Sequence, residues 1–143
     1  MDKLHERLAL VASIDPTGDA TGTSTTDVID MSKFKKVLFI VGTETIAATG
    51  TVDFSIQEGT VRTSFNTSTA VGAITQLVAA DDNTQALLEI DADALTDGYR
   101  YIRGILKQGT ANSECAVYAL GGDPGHMPAS DNDLASVKQI EDI

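Results

Sequence analysis

Thr51–Gly59 reads TVDFSIQEG: Val52, Phe54 and Ile56 alternate without a break with Thr51, Asp53, Ser55 and Gln57. Successive side chains of an extended strand point to opposite sides, so this order places one face in a dry interior and the other in water. Burying the three apolar side chains is worth roughly 5–8 kcal/mol before chain entropy is subtracted, enough to fix the register of the strand.

Upstream, KKVLFIVGT carries five apolar residues in succession, Val37 to Val41, mostly β-branched or aromatic. A run of this length and composition fits a central strand covered on both sides. The connection TETIAATG, with Gly50 as its turn glycine, predicts that the two strands form a hairpin. Downstream, Glu58-Gly59 and the alternating TVRTSF predict a further antiparallel partner. GAITQLVAA and NTQALLEID read as strands around the turn formers Asp81, Asp82 and Asn83, with a helix over QALLEIDADAL as the alternative. GYRYIRGILKQG and SECAVYALGG read as a last hairpin, turning through Gly109 to Ser113.

Short strands with turn signals about every ten residues, and no long helical pattern, predict an all-β domain. The expected form is an antiparallel β-sandwich or jelly roll with extended N- and C-terminal arms, and a parallel α/β layout is excluded. The expected division is an N-terminal strand and arm over 1–30, a core over 31–120 and a C-terminal arm over 121–143. Within the first part, DPTGDATGTSTTD (Asp15–Asp27) has no apolar side chain larger than alanine apart from Pro16, which predicts an exposed loop or arm. In the last part, Leu134, Val137 and Ile140 recur every three residues, the spacing of one side of a helical turn. At 143 residues there is room for one domain, which buries about two-thirds of its unfolded surface.

Composition narrows function. Twenty-one acidic residues against 10 basic ones give a net charge of −11, which opposes nucleic-acid binding, since phosphate contact needs clustered Lys and Arg. Lys33, Lys35 and Lys36 form the one dense basic group, and Arg100, Arg103 and Lys107 a looser one; each reads as a solvated face or as a docking point for an acidic protein surface. No apolar run reaches the length of a membrane span, and MDKLHERLAL is too short and charge-broken for a signal peptide, so a cytoplasmic product is expected. Cys115, the single cysteine, sits in ECAVYAL as a small buried hydrophobe would.

Catalytic, cofactor and metal signals are not found. Glu89 and Asp91, two apart on a strand, would lie about 6.6 Å from one another, at the edge of the spacing of an inverting glycosidase pair. With no Trp to grip a sugar, a solvated strand face is the better reading. His5 and His126 lack partners at zinc-ligand spacing, Asp15, Asp19 and Asp27 do not follow a calcium loop, and LGGDPG lacks the Lys of a phosphate loop. The expectation is a protein that is not an enzyme and uses no cofactor.

LHERLALVASIDP at the start and YALGGDPGHMPASDNDLASVKQI at the finish resemble the capsid decoration, or cement, proteins of tailed bacteriophages. TTDVIDMSKF, VLFIVGT, TVDFSIQEG, ITQLVAADDNTQALLEID and GYRYIRGIL follow the same order, so the likeness spans nearly the whole chain. The resemblance implies a sandwich that binds the outside of the icosahedral head between major capsid protein subunits, as a homo-oligomer, a trimer ahead of a dimer. It would be located on the virion exterior, and in the host cytoplasm during assembly, with neither nucleic acid nor membrane as a partner. The expected contact residues are Leu4, Leu8 and Leu10 at one end, Lys33, Lys35 and Lys36 on the body, and Leu134, Val137 and Ile140 on the tail. Two alternatives stand beside it: a glycan-binding sandwich using Tyr99, Tyr101, Tyr118 or Phe34, and a head–tail or tail structural protein.

Overall fold

The computed structural model describes residues 3–129, 132–133 and 135–141. Its spine is a strand of 24 residues, and the elements leading to it are a helical turn, Leu4–Arg7 (α1), and eight strands: β1 (Ala9–Ile14), β2 (Ala20–Thr25), β3 (Ile29–Asp30), β4 (Phe34–Ile46), β5 (Thr51–Gly59), β6 (Gly72–Ala73), β7 (Leu77–Val78) and β8 (Gln85–Asp91). The spine itself is β9 (Tyr101–Pro124). Every pairing among the strands is antiparallel.

β9 bends between Gly109 and Ser113 and so belongs to two layers. Its first half lies between β5, in register from Thr51 opposite Gly109 to Gly59 opposite Tyr101, and β2 with β3. Its second half lies between β4, from Ile46 opposite Ser113 to Phe34 opposite Pro124, and β1. β8 closes the outer edge beyond β4. The two layers meet through their inward residues: Phe39 of β4 and Phe54 of β5 stack at 5.3 Å between ring centres, tilted by 50°. The chain is thus an all-β, antiparallel domain, one sheet folded over into a sandwich about a shared strand.

The alternation in TVDFSIQEG is realised as read, with Val52, Phe54 and Ile56 inside. In β4, Val37, Phe39 and Val41 are inside, but Leu38 and Ile40 point outward and are only half-buried, so the apolar run is covered on one side rather than two. β4 and β5 do not form the expected hairpin. Residues 47–50 carry the chain from one layer to the other, and Gly50 suits the close approach there, since a Cβ would lie 3.0–3.3 Å from Ile46, Ala47 and Ala111. The second expected hairpin is one continuous strand: Gln108 Nε2 donates to Ser113 O (2.6 Å) and to Ser113 Oγ (3.0 Å), tying the limbs of the bend together. Thr17 closes it from outside, donating N–H to Cys115 O at 2.8 Å and accepting the Cys115 N–H at 3.1 Å.

Three further expectations change. TVRTSF is a tight turn with a bridge between Val61 and Ser64, not a strand. GAITQLVAA supplies only the two-residue pairings of β6 and β7 to β5, whereas QALLEID is strand β8 rather than helix, followed by a short 3-10 turn at Ala92–Ala94. Asp15–Asp27, expected as an exposed loop or arm, contains β2, whose Thr and Ser side chains stay mostly exposed while its backbone pairs with β9. Asn83, in the expected turn, takes φ 57°.

Candidate functional site: the outer face of one layer and the chain ends

Backbone register builds an apolar surface on the outside of the layer β1–β9–β4–β8. Leu10, Leu120, Leu38 and Glu89 form one cross-strand row, and Ser13, Tyr118, Ile40 and Leu87 the next. Leu87 is 64% exposed and Tyr118 40%. Such a cluster is unusual, because side chains that pair across strands on a solvated face are ordinarily polar, and contiguous exposed apolar area marks interaction surfaces.

α1 lies over one end of this face. Leu4 and Leu8 line, together with Leu38, Leu120 and the stem of Lys36, an open groove of about 380 Å³ whose rim carries Arg7, Glu89 and Asp123. Lys36 projects from β4 between two carboxylates of β8, 3.1 Å from Asp91 and 3.6 Å from Glu89. Those carboxylates, Asp91 first, hold its ammonium above the ordinary lysine value. Glu89 and Asp91 are therefore engaged with a lysine on an exposed strand face.

The C-terminal segment runs beside this face. After β9 it turns at Gly125, whose N–H donates to Lys33 O (2.8 Å), and returns along the free edge of β1. Ala129 N–H donates to Glu6 O and Asp133 N–H to Leu10 O, both at 2.7 Å, and Leu10 N–H donates to Asn132 Oδ1 at 2.9 Å. Val137 N–H returns to Asp133 O at 2.8 Å in a single turn, and residues 137–141 carry no regular structure, so no helix is seen there among the described residues. The segment thus caps an edge that would otherwise expose unpaired backbone groups.

The expected contact residues fall into three groups. Leu4 (71% exposed), Leu8, Leu10 and Lys36 gather on the outer face or its groove. Lys35 is exposed at the neighbouring end with Arg7 and Met127, and Lys33 is exposed in the turn before β4, so the three lysines do not share one patch. Val137 is half-buried and Ile140 is 52% exposed, and Leu134 lies outside the described residues. Leu38, Ile40, Leu87 and Leu120 were not singled out by sequence as contact residues, and Tyr118 was named only as a possible glycan contact; the signal in β4 was its unbroken apolar run, five residues where the buried face takes three.

The remaining candidates are engaged within the protein. Arg100 forms a two-pronged bond to the buried Asp30, Nε to Oδ1 at 2.8 Å and Nη2 to Oδ2 at 2.7 Å, and Arg103 lies 4.3 Å over the Phe65 ring. Tyr101 is packed by the guanidiniums of Arg62 and Arg100 at 5.1 and 5.2 Å, and Phe34 is buried, which leaves Tyr118 as the exposed aromatic among those two and itself. Cys115 is buried beside Gln108 and Ser113, and desolvation pushes its thiol up, away from the nucleophilic thiolate. No group of three or more metal-ligating side chains occurs among the described residues. No protein-family model and no curated protein matches the chain.

Proposed function

We propose that this protein is a capsid decoration protein of the tailed-phage kind, seated on the outside of an icosahedral head between major capsid protein subunits as a homo-oligomer, a trimer first. One observation carries the reading. The two terminal stretches that bear the resemblance, far apart in sequence, lie side by side along β1 and β9 and border the exposed apolar face of Leu38, Ile40, Leu87, Tyr118 and Leu120. A single surface therefore holds both the recognised segments and the unpartnered apolar area.

The physical action is mass action. A ligand that binds only the assembled lattice lowers the free energy of the closed shell at each occupied position, and many copies add. About 800 Å² per partner suffices for specific association, and the row of apolar side chains supplies the centre of such a patch, with Arg7, Lys36, Glu89 and Asp91 as its polar rim. The strong net charge keeps unbound copies apart in solution until a complementary site is met.

The test is to mix the purified protein with expanded, undecorated heads and to image the particles. Regular density over the whole shell is the expected result. Density at one vertex alone would make the protein a connector, and bare shells at saturating protein would remove the reading.

A further inference from the structure

Three of the chain's four arginines stand together where β5 ends beside the start of β9. Arg62 and Arg100 pack on the Tyr101 ring, at 5.1 and 5.2 Å, and Arg103 lies 4.3 Å over Phe65. Arg62 and Arg100 are half exposed, as is Val61 beside them. Arg100 commits two N–H groups to Asp30 and Arg103 one to Gln57, out of the five that each guanidinium carries. Of the acids close by, Asp30 is buried under Arg100, Glu58 is buried on the N–H and hydroxyl of Thr96, and Asp97 is exposed in the turn before Arg100. In a chain of net charge −11 this is a local excess of cation. Stacking on rings holds the guanidiniums in place, and their fork geometry matches carboxylates.

A surface of matching shape and charge lies at the other end of the molecule. Just past the bend of β9, Gly42 and Ala116 pair across the outer face of the layer β1–β9–β4–β8. With Pro16 and Thr17 they line a notch of about 210 Å³ whose acidic residues are Glu44 and Glu114. The segments that build this end, 15–19, 42–50 and 109–116, contain no Lys, Arg or His. Arginines of the same chain do not reach it. β5 runs from Thr51, opposite Gly109 at the bend, to Gly59, roughly 26 Å at about 3.3 Å per residue.

We infer that the patch of Arg62, Arg100 and Arg103 on one copy docks on the Glu44–Glu114 notch of a second copy, with an arginine entering between the two carboxylates. Because the two surfaces differ, the contact is made twice in a two-fold pair or once per neighbour round a closed ring. Two copies of this acidity repel at a distance. At about 0.15 M salt that field is screened beyond about 8 Å, whereas charges brought into contact are screened far less. The contact supplies an interface for the homo-oligomer of the proposed function without resting on the shell, and its assay contains no heads.

The experiment is sedimentation velocity of the full chain and two double variants at about 0.15 M salt. The parent should form a discrete oligomer. Arg62→Glu with Arg103→Glu sets like charge against the notch, and Glu44→Lys with Glu114→Lys sets like charge against the patch. Each should weaken self-association at least about tenfold. Mixed in equal amounts, the two should associate again, since each supplies the surface that the other has reversed. Net charge alone requires the opposite of the lysine variant, which is less negative than the parent and would associate more tightly. Arg100 stays in place because the buried Asp30 depends on it. Far-ultraviolet circular dichroism should match the parent in both variants; where a double variant departs from it, Arg62→Glu or Glu44→Lys alone, each at an exposed side chain, takes its place. A parent that stays monomeric, a variant that associates as the parent does, or a mixture that stays apart would overturn the contact.

Discussion

Gly104 lies where β9 passes over Phe54, and its missing side chain is what permits the contact. A Cβ there would stand 2.4 Å from Phe54 Cζ, 2.7 Å from Cε2 and 3.0 Å from Thr26 Cγ2. Phe54 is buried against Phe39 and has no room to withdraw. Gly104→Ala should therefore destabilise by about 1–3 kcal/mol in urea unfolding with an unchanged denaturant slope. Asp30 belongs to the same scale. The Arg100 guanidinium, with the Ser32 N–H, holds its carboxyl far below the ordinary range despite burial. A depressed acid contributes stability above its ordinary value and loses it as pH falls towards the folded one. Asp30→Asn should thus cost about 1–3 kcal/mol near neutrality, a gap that narrows in matched unfolding curves as pH drops below about 3.9. Neither site was legible beforehand. Arg100 read as part of a basic group because its partner lies 70 residues away, and the contact that Gly104 permits is with Phe54 of another strand.

The elements show the same division between local and distant causes. Period-two alternation identified β5, and the apolar run identified β4, because one strand's side chains suffice to reveal a buried face. The last hairpin failed because Gly109-Thr110-Ala111-Asn112-Ser113 is turn chemistry, and turn chemistry serves a bend as well as a reversal. What selects the bend is Gln108 reaching Ser113 across it and Thr17 bonding Cys115 from 98 residues away. Thr110 carries the strain there, at φ 65°, which a β-branched residue adopts at a cost. Thr110→Gly should raise stability by about 0.5–1 kcal/mol, whereas Gln108→Ala, which leaves buried Ser113 groups unpaired, should lower it by about 1–3 kcal/mol, both read by thermal and urea unfolding. Deleting everything after Ser130 removes the cover on β1 without touching the sandwich core. The shortened chain should keep its far-ultraviolet circular dichroism, lose head binding and, with the β1 edge bared, self-associate in sedimentation; unfolding would show the segment to be structural.

At the scale of the whole molecule, the run Val37–Val41 was read as a strand covered on both sides, and in the folded chain only one side is covered. A sequence records every surface its side chains are suited to bury, including those completed by a partner, so the excess of apolar residues in β4 was legible while its meaning was not. The outer face supplies that meaning if it docks. Leu87 is the sharpest probe, since it is 64% exposed and outside the packed core. Leu87→Glu should change unfolding free energy by less than about 0.5 kcal/mol, because a surface substitution removes no buried contact. In a head-binding assay the same change should cost at least about tenfold in apparent affinity, since a charge placed at the centre of an apolar interface loses its hydration without gaining a partner. Lys107→Glu, exposed on the opposite layer, carries a larger change in charge and serves as the control. If both variants bind equally well, the outer face is not the docking surface; if both weaken together, net charge rather than contact governs binding. Loss confined to Leu87→Glu is the pattern that a face completed by the shell requires.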